Sequence, residues 1–175
     1  MLKVIVSIDG SGFSESIFET VKKLLLPHLH SLLLLEVAPI PEELEEVSQN
    51  APTTWTNSVG YKTAWSDFRR TLEPDRSAYV ERIWEVYEKD ILASMEKPRS
   101  NLEIAGFKVE TKVRFGDPAL EISDVVKREN IDLIIMATHQ RQGLSHLVFG
   151  SITEDTVNHS HIPVLAVPVN WHYNN

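Results

Sequence analysis

Residues 3–11 read KVIVSIDGS, and that stretch decides the fold. Residues 3–8 form a β-branched, apolar run with no alternation of polar positions. Such a run reads as a strand buried on both faces. It ends at Asp9-Gly10-Ser11, a turn signal. Beyond the turn, Ile17, Phe18, Val21, Leu24 and Leu25 recur at helical spacing, with Ser14 as a reasonable N-cap and Pro27 as the stop. A second apolar run, SLLLLEV at 31–37, follows. Strand, helix, strand is the opening of a parallel sheet.

The rest of the chain repeats that alternation. Val80, Trp84, Tyr87, Ile91 and Met95 make a helical stripe over about 77–96. Pro98 is expected to break or kink it, with a further helical piece to Ala105 and Gly106 as its stop. KVETKVRF at 108–115 alternates apolar and polar residues, as an exposed or edge strand does. Asp117 suits the N-cap and Pro118 the first turn of a helix lined by Ala119, Ile122, Val125 and Val126. DLIIMA at 132–137 is another buried strand. SITEDTVNHS opens with Ser151 and carries Glu154 three residues on, the spacing of a capping box. PVLAVPV at 163–169 is the last strand, marked as an edge by Pro163 and Pro168. Apolar strands alternating with helices imply a doubly wound α/β sheet with helices on both faces.

Residues 38–76 interrupt the pattern. They hold four prolines, the acidic group Glu42, Glu43, Glu45 and Glu46, and aromatic residues at Trp55, Tyr61, Trp65 and Phe68. This is a long insertion after the second strand with one short helix near PEELEEV, and loops of that length are functional or mobile. It leaves from the rim of the expected site, so a lid or a subunit contact is the expectation. The acidic run reads as a solvated face.

A chain of 175 residues with 42% hydrophobic and 24% charged residues is expected to be one globular domain. No cysteine is present, which excludes disulfides and thiolate metal sites. The apolar amino-terminal stretch is short and interrupted by Asp9, and no run approaches the roughly 18 apolar residues of a membrane helix. A net charge of -8 disfavours nucleic acid and anionic lipid as partners. The expected location is the cytoplasm. Any bound anion must be held by local groups.

Those local groups gather after the fourth strand, where ATHQRQGLSHLVFGS occupies 137–151. In an open parallel sheet, ligands sit beyond the carboxyl ends of the strands. Gly150 and Ser151 precede a helix whose first N–H groups lack internal partners and whose dipole favours an anion. Ser151 and Thr153 add hydroxyl donors, and Arg141 offers a phosphate partner. Two readings of Ser151 stay open: phosphate donor, or plain N-cap paired with Glu154. His139 and His146 have no third ligand at a useful spacing, so no metal site is expected. No P-loop, nucleophile elbow or poised general base is present, so catalysis is not expected.

SIDGSGFSESIFE, VRFGDPALEISDVVKRENIDLIIMATHQ and GSITEDTVNHSHIPVLAVPV together resemble the universal stress protein family, over about 3–37 and 77–169. The resemblance implies a Rossmann-like, five-stranded parallel sheet of order 3-2-1-4-5, of the adenine nucleotide alpha hydrolase-like kind. It implies an adenine nucleotide as ligand (AMP, ADP or ATP, with Mg as an optional companion) and a regulatory or sensing role. In the family, nucleotide binders carry Gly-x2-Gly-x9-Gly-[Ser/Thr] after the fourth strand. Those positions here are Ala137, Gln140, Gly150 and Ser151, so two motif glycines are replaced. Ala137 adds one methyl group; Gln140 is the larger departure if its backbone needs positive φ. By the same resemblance Asp9 lies beside the nucleoside, the backbone at Val37 meets adenine, and Met136 with Ala137 lines base and ribose. Ser7 and Ile8 before Asp9, Thr138 and His139 before Gln140, and Ile152 between Ser151 and Thr153 complete the implied nucleotide-binding set. The family also implies a homodimer through the edge strand at 163–169 and a protein partner of unknown identity. The alternative is a dimeric interaction protein of this family that binds no nucleotide.

Overall fold

The computed structural model describes residues 1–10, 14–42, 44, 74–138 and 150–168. Five strands, β1 (Leu2–Ile8), β2 (His30–Ala38), β3 (Lys108–Phe115), β4 (Leu133–Thr138) and β5 (Val164–Pro168), alternate with four helices. The helices are α1 (Ser14–Leu24), α2 (Pro74–Ile104), α3 (Pro118–Glu129) and α4 (Ser151–Ser160). All strand pairings are parallel, in the order β3-β2-β1-β4-β5. This is the doubly wound sheet and strand order expected, with β3 and β5 at its edges.

The central strands are apolar throughout because both their faces are covered. Val4, Val6, Leu32, Leu34 and Ile135 point to one face and pack with Ile17, Phe18 and Val21 of α1 and Met95 and Leu102 of α2. Ile5, Leu33, Leu35, Ile134 and Met136 point to the other, against Ile122, Val125 and Val126 of α3. Burying one such side chain contributes roughly 1.5–3 kcal/mol, which is why the period-2 alternation vanishes from these strands. On the edge strand β3 it survives: Val109, Val113 and Phe115 are buried while Lys108 and Glu110 are exposed.

Two expectations are corrected. Pro98 does not divide the helix; α2 runs unbroken for 31 residues with Pro98 inside it. Met95 before the proline and Leu102 after it are both fully buried in the same core, so tertiary packing carries the helix across the missing donor. Gly106 ends α2 as expected, with φ 94 and amide bonds from Gly106 to the Glu103 carbonyl and from Phe107 to the Leu102 carbonyl. The second correction is at α4. Its N-cap is Gly150, and Ser151 is its first helical residue. Ser151 therefore does not cap, and no capping box with Glu154 forms.

The capping expected of α3 is present. The Asp117 carboxylate accepts from the Leu120 amide at 3.0 Å, with Pro118 opening the helix. Inside the insertion, Glu42 and Leu44 are helical; Glu42 is exposed and Leu44 is buried. The remaining aromatic and acidic positions of that segment lie outside the described residues.

Candidate functional site

The strand order places β1 between β2 and β4. Helix α1, which follows β1, packs on one face of the sheet, while α4, which follows β4, packs beside α3 on the other. Helices after neighbouring strands thus lie on opposite faces, the arrangement in which an open parallel sheet places its ligand crevice beyond the carboxyl ends of those strands. Register aligns the site there. Ser7 pairs with Met136 and with Leu35, and Ile8 pairs with Glu36. Asp9 and Gly10 follow at once and are exposed. Val37 and Ala38, both half-buried, end β2.

On the β4 side, Thr138 ends the strand and its Oγ1 accepts from the Gly150 amide at 3.5 Å. That contact ties the start of α4 to the end of β4. Gly150 has φ -60 and ψ 153, which any residue adopts, and a Cβ built there meets nothing within 4 Å. Neither backbone strain nor the packing of the described residues requires glycine at this position. The Gly150 carbonyl accepts from the Glu154 amide at 3.1 Å, closing the first turn. Among the described residues no side chain caps the amides ahead of it. Such amides carry roughly half a unit of positive charge and favour an anion.

The expected site residues divide by what they present. Ile8 and Met136 are buried in the two cores, so their main chain, not their side chains, borders the crevice. Ala137 lies within β4, paired with Val167, and its φ is not positive. The first motif glycine is thus replaced at a position whose backbone does not need one. Thr153, expected to add a hydroxyl donor, is buried. Ser151 is the exposed hydroxyl of the first turn, and Ile152 is exposed beside it. His139, Gln140 and Arg141 lie outside the described residues, as does His146.

Glu36, beside the Gly10 turn, is a residue that the sequence reading did not single out. It sits in β2 with 9% of its surface exposed, and its Oε2 is buried with no hydrogen-bond partner among the described residues. Its Oε1 lies 2.9 Å from where a Gly10 Cβ would be. Gly10 has φ +68, a conformation that side chains rarely adopt, so the backbone favours glycine there. Burial pushes the Glu36 carboxyl above the ordinary carboxylate range, and the negative charge of Asp9 raises it further. A signal was present in SLLLLEV: one charged residue inside a strand whose neighbours are all covered, at the ligand-binding end of the sheet.

Away from the crevice, Arg114 joins β3 to α3. Its Nε lies 2.9 Å from Glu121, and its terminal nitrogen bonds Asp124, which also takes Arg128 Nε at 2.7 Å. Among the described residues, no group of three or more His, Cys, Asp and Glu side chains is arranged to hold a metal ion. None of the described helices is long and apolar enough to cross a membrane.

Comparison with known proteins agrees with this geometry. The model of the universal stress protein family matches residues 62–168, more than half of the chain. Universal stress protein MJ0577 of Methanocaldococcus jannaschii is 38% identical over 73 residues, which cover 42% of this chain and 45% of that one. The chain thus spans about half the length of that curated relative in the match. The solved structure of MJ0577 superposes with a TM-score of 0.65 at 23% identity, covering 99% of this chain and 98% of that one. A universal stress protein solved in complex with cAMP superposes with a TM-score of 0.56 at 14% identity, covering 97% and 98%. A family model that matches more than half of the chain leads to one conclusion: the chain belongs to the universal stress protein family.

Proposed function

We propose that this chain binds an adenine nucleotide at the carboxyl end of its sheet and acts as a regulatory or sensing module, not as a catalyst. The observation that carries the reading is the start of α4. Gly150 replaces the expected side-chain cap, a Cβ there would meet none of the described residues, and it is tied to the end of β4 through Thr138. A glycine that the fold itself does not need is explained by a phosphate approaching the backbone. Adenine and ribose lie between Asp9, Val37 and the Met136-Ala137 main chain in this reading. The phosphates meet the amides of Gly150, Ser151 and Ile152, and Gln140 and Arg141 are further phosphate partners in this reading. AMP and ADP fit as well as ATP, with Mg accompanying the longer phosphates. The family neighbour solved with cAMP supports an adenine nucleotide as the ligand class. The proposal extends to a homodimer through the β5 edge and to a cytoplasmic location. An exposed apolar edge strand invites pairing with its copy.

The test is a pair of proteins. Gly150→Ala is expected to unfold within a few degrees of the parent, since its Cβ enters open space and loses only a favourable N-cap residue, about 1 kcal/mol or less. Its affinity for AMP, read by thermal shift against AMP concentration, is expected to fall about tenfold or more, because the methyl stands where a phosphate oxygen must approach. If the parent shows no shift with millimolar AMP, ADP or ATP, the second reading holds, that of a dimeric interaction protein without nucleotide. Gln140 in place of a motif glycine is the residue that favours this second reading.

A further inference from the structure

We propose that Glu36 is a specificity-determining residue of the pocket, accepting a hydrogen bond from a ribose hydroxyl and selecting ribonucleotides over their deoxy analogues. The inference rests on the adenine-nucleotide reading and assigns that site one more residue. Three observations carry it. First, Glu36 Oε2 is buried and has no hydrogen-bond partner among the described residues, an arrangement costly enough that a fold keeps it for a reason. Second, Glu36 reaches to the Gly10 turn, with Oε1 2.9 Å from the position of an absent Cβ, so it stands beside Asp9 at the crevice. Third, its place in the topology is that of the acidic residue which reads ribose in dinucleotide-binding sheets: the carboxyl end of the second strand, next to the first strand-to-helix turn.

The chemistry narrows the ligand group. Two neighbouring carboxyls repel phosphate, so the phosphates belong at the far side of the crevice, on α4. What the Glu36 oxygen lacks is a donor, and the ribose diol supplies donors without charge. Burial and the nearby Asp9 both disfavour a bare carboxylate, and a donated hydrogen bond relieves that.

The experiment measures affinities of the whole chain for AMP and 2′,3′-dideoxy-AMP by titration calorimetry. The unmodified protein is expected to prefer AMP about tenfold or more, because a site built to bond a hydroxyl rejects the analogue lacking it. In Glu36→Leu the preference is expected to fall at least threefold, with dideoxy-AMP affinity nearly unchanged. Glu36→Gln keeps the shape and carries the test should the leucine variant not fold; its preference is expected to fall in the same direction. Equal weakening of both ligands, or an unchanged preference, overturns the role of Glu36 while leaving the nucleotide site standing. Absence of binding to either ligand by the unmodified protein overturns both.

Discussion

Arg114→Ala is expected to lower the unfolding free energy by about 3–5 kcal/mol, the range for breaking a buried ion pair by removing one partner. The side chain of Arg114 is 13% exposed and those of Glu121 and Asp124 are 7% and 19% exposed. Removing the guanidinium leaves two carboxylates close together with little water to solvate them. Arg128 still reaches Asp124, but its own side chain is half exposed and does not replace the lost partner of Glu121. At roughly 2–4 °C per kcal/mol for a chain of this size, the midpoint falls by about 10 °C. Thermal unfolding followed by circular dichroism checks this. A further change of Glu121→Leu in the Arg114→Leu background is expected to recover part of the loss, because well-packed apolar residues replace a buried pair at little cost. A fall of less than about 1 kcal/mol in Arg114→Ala would mean that these charges are solvated as a surface pair is.

Glu36→Gln is expected to act in the other direction, and only at higher pH. The folded Glu36 carboxyl titrates above the ordinary range, from burial first and the Asp9 charge second. Between its ordinary and its raised pKa, the folded protein holds a proton that the unfolded chain has lost. Stability therefore falls as pH rises through the folded value, and nothing is lost below the ordinary range. The glutamine variant carries no such proton. Its stability is expected to match the parent near about pH 4 and to exceed it by about 1–3 kcal/mol near about pH 8, the cost of an unsatisfied buried group. Asp9 is present in both proteins, so the difference between the two curves isolates Glu36. Parallel midpoint curves over that range would show that the carboxyl is solvated in solution. A residue that weakens the fold and stands at the ligand end of the sheet is what a retained binding group looks like.

The sheet was legible because its signal is strong. Five apolar or alternating runs, each bounded by Gly, Pro or Asp, fixed both the strands and their parallel sense, and β3 and β5 were recognisable as edges from Lys108, Glu110, Pro163 and Pro168. Asp117-Pro118 named the start of α3 to the residue. Local rules failed where tertiary packing outweighs them. Pro98 reads as a break or a kink, yet α2 continues across it, with Met95 and Leu102 buried on either side. Ser151 reads as a cap with Glu154 behind it, yet Gly150 takes the cap position once Thr138 binds its amide. Of the expected site, Asp9, Val37 and Ala137 lie at or near strand ends and took their nucleotide roles from the family resemblance, whereas Glu36 was hidden inside a leucine run. Its burial and its lack of a partner are properties of β2 packed beside the Gly10 turn, and no spacing rule states them.

One measurement bears on the central claim most directly: calorimetric titration of AMP, ADP and ATP into dialysed protein, repeated with Gly150→Ala. Saturable heat at one nucleotide per chain, weakened about tenfold by that single methyl group, is the predicted result. No heat with any of the three, or an affinity indifferent to Gly150→Ala, would contradict a phosphate held by the main chain at the start of α4.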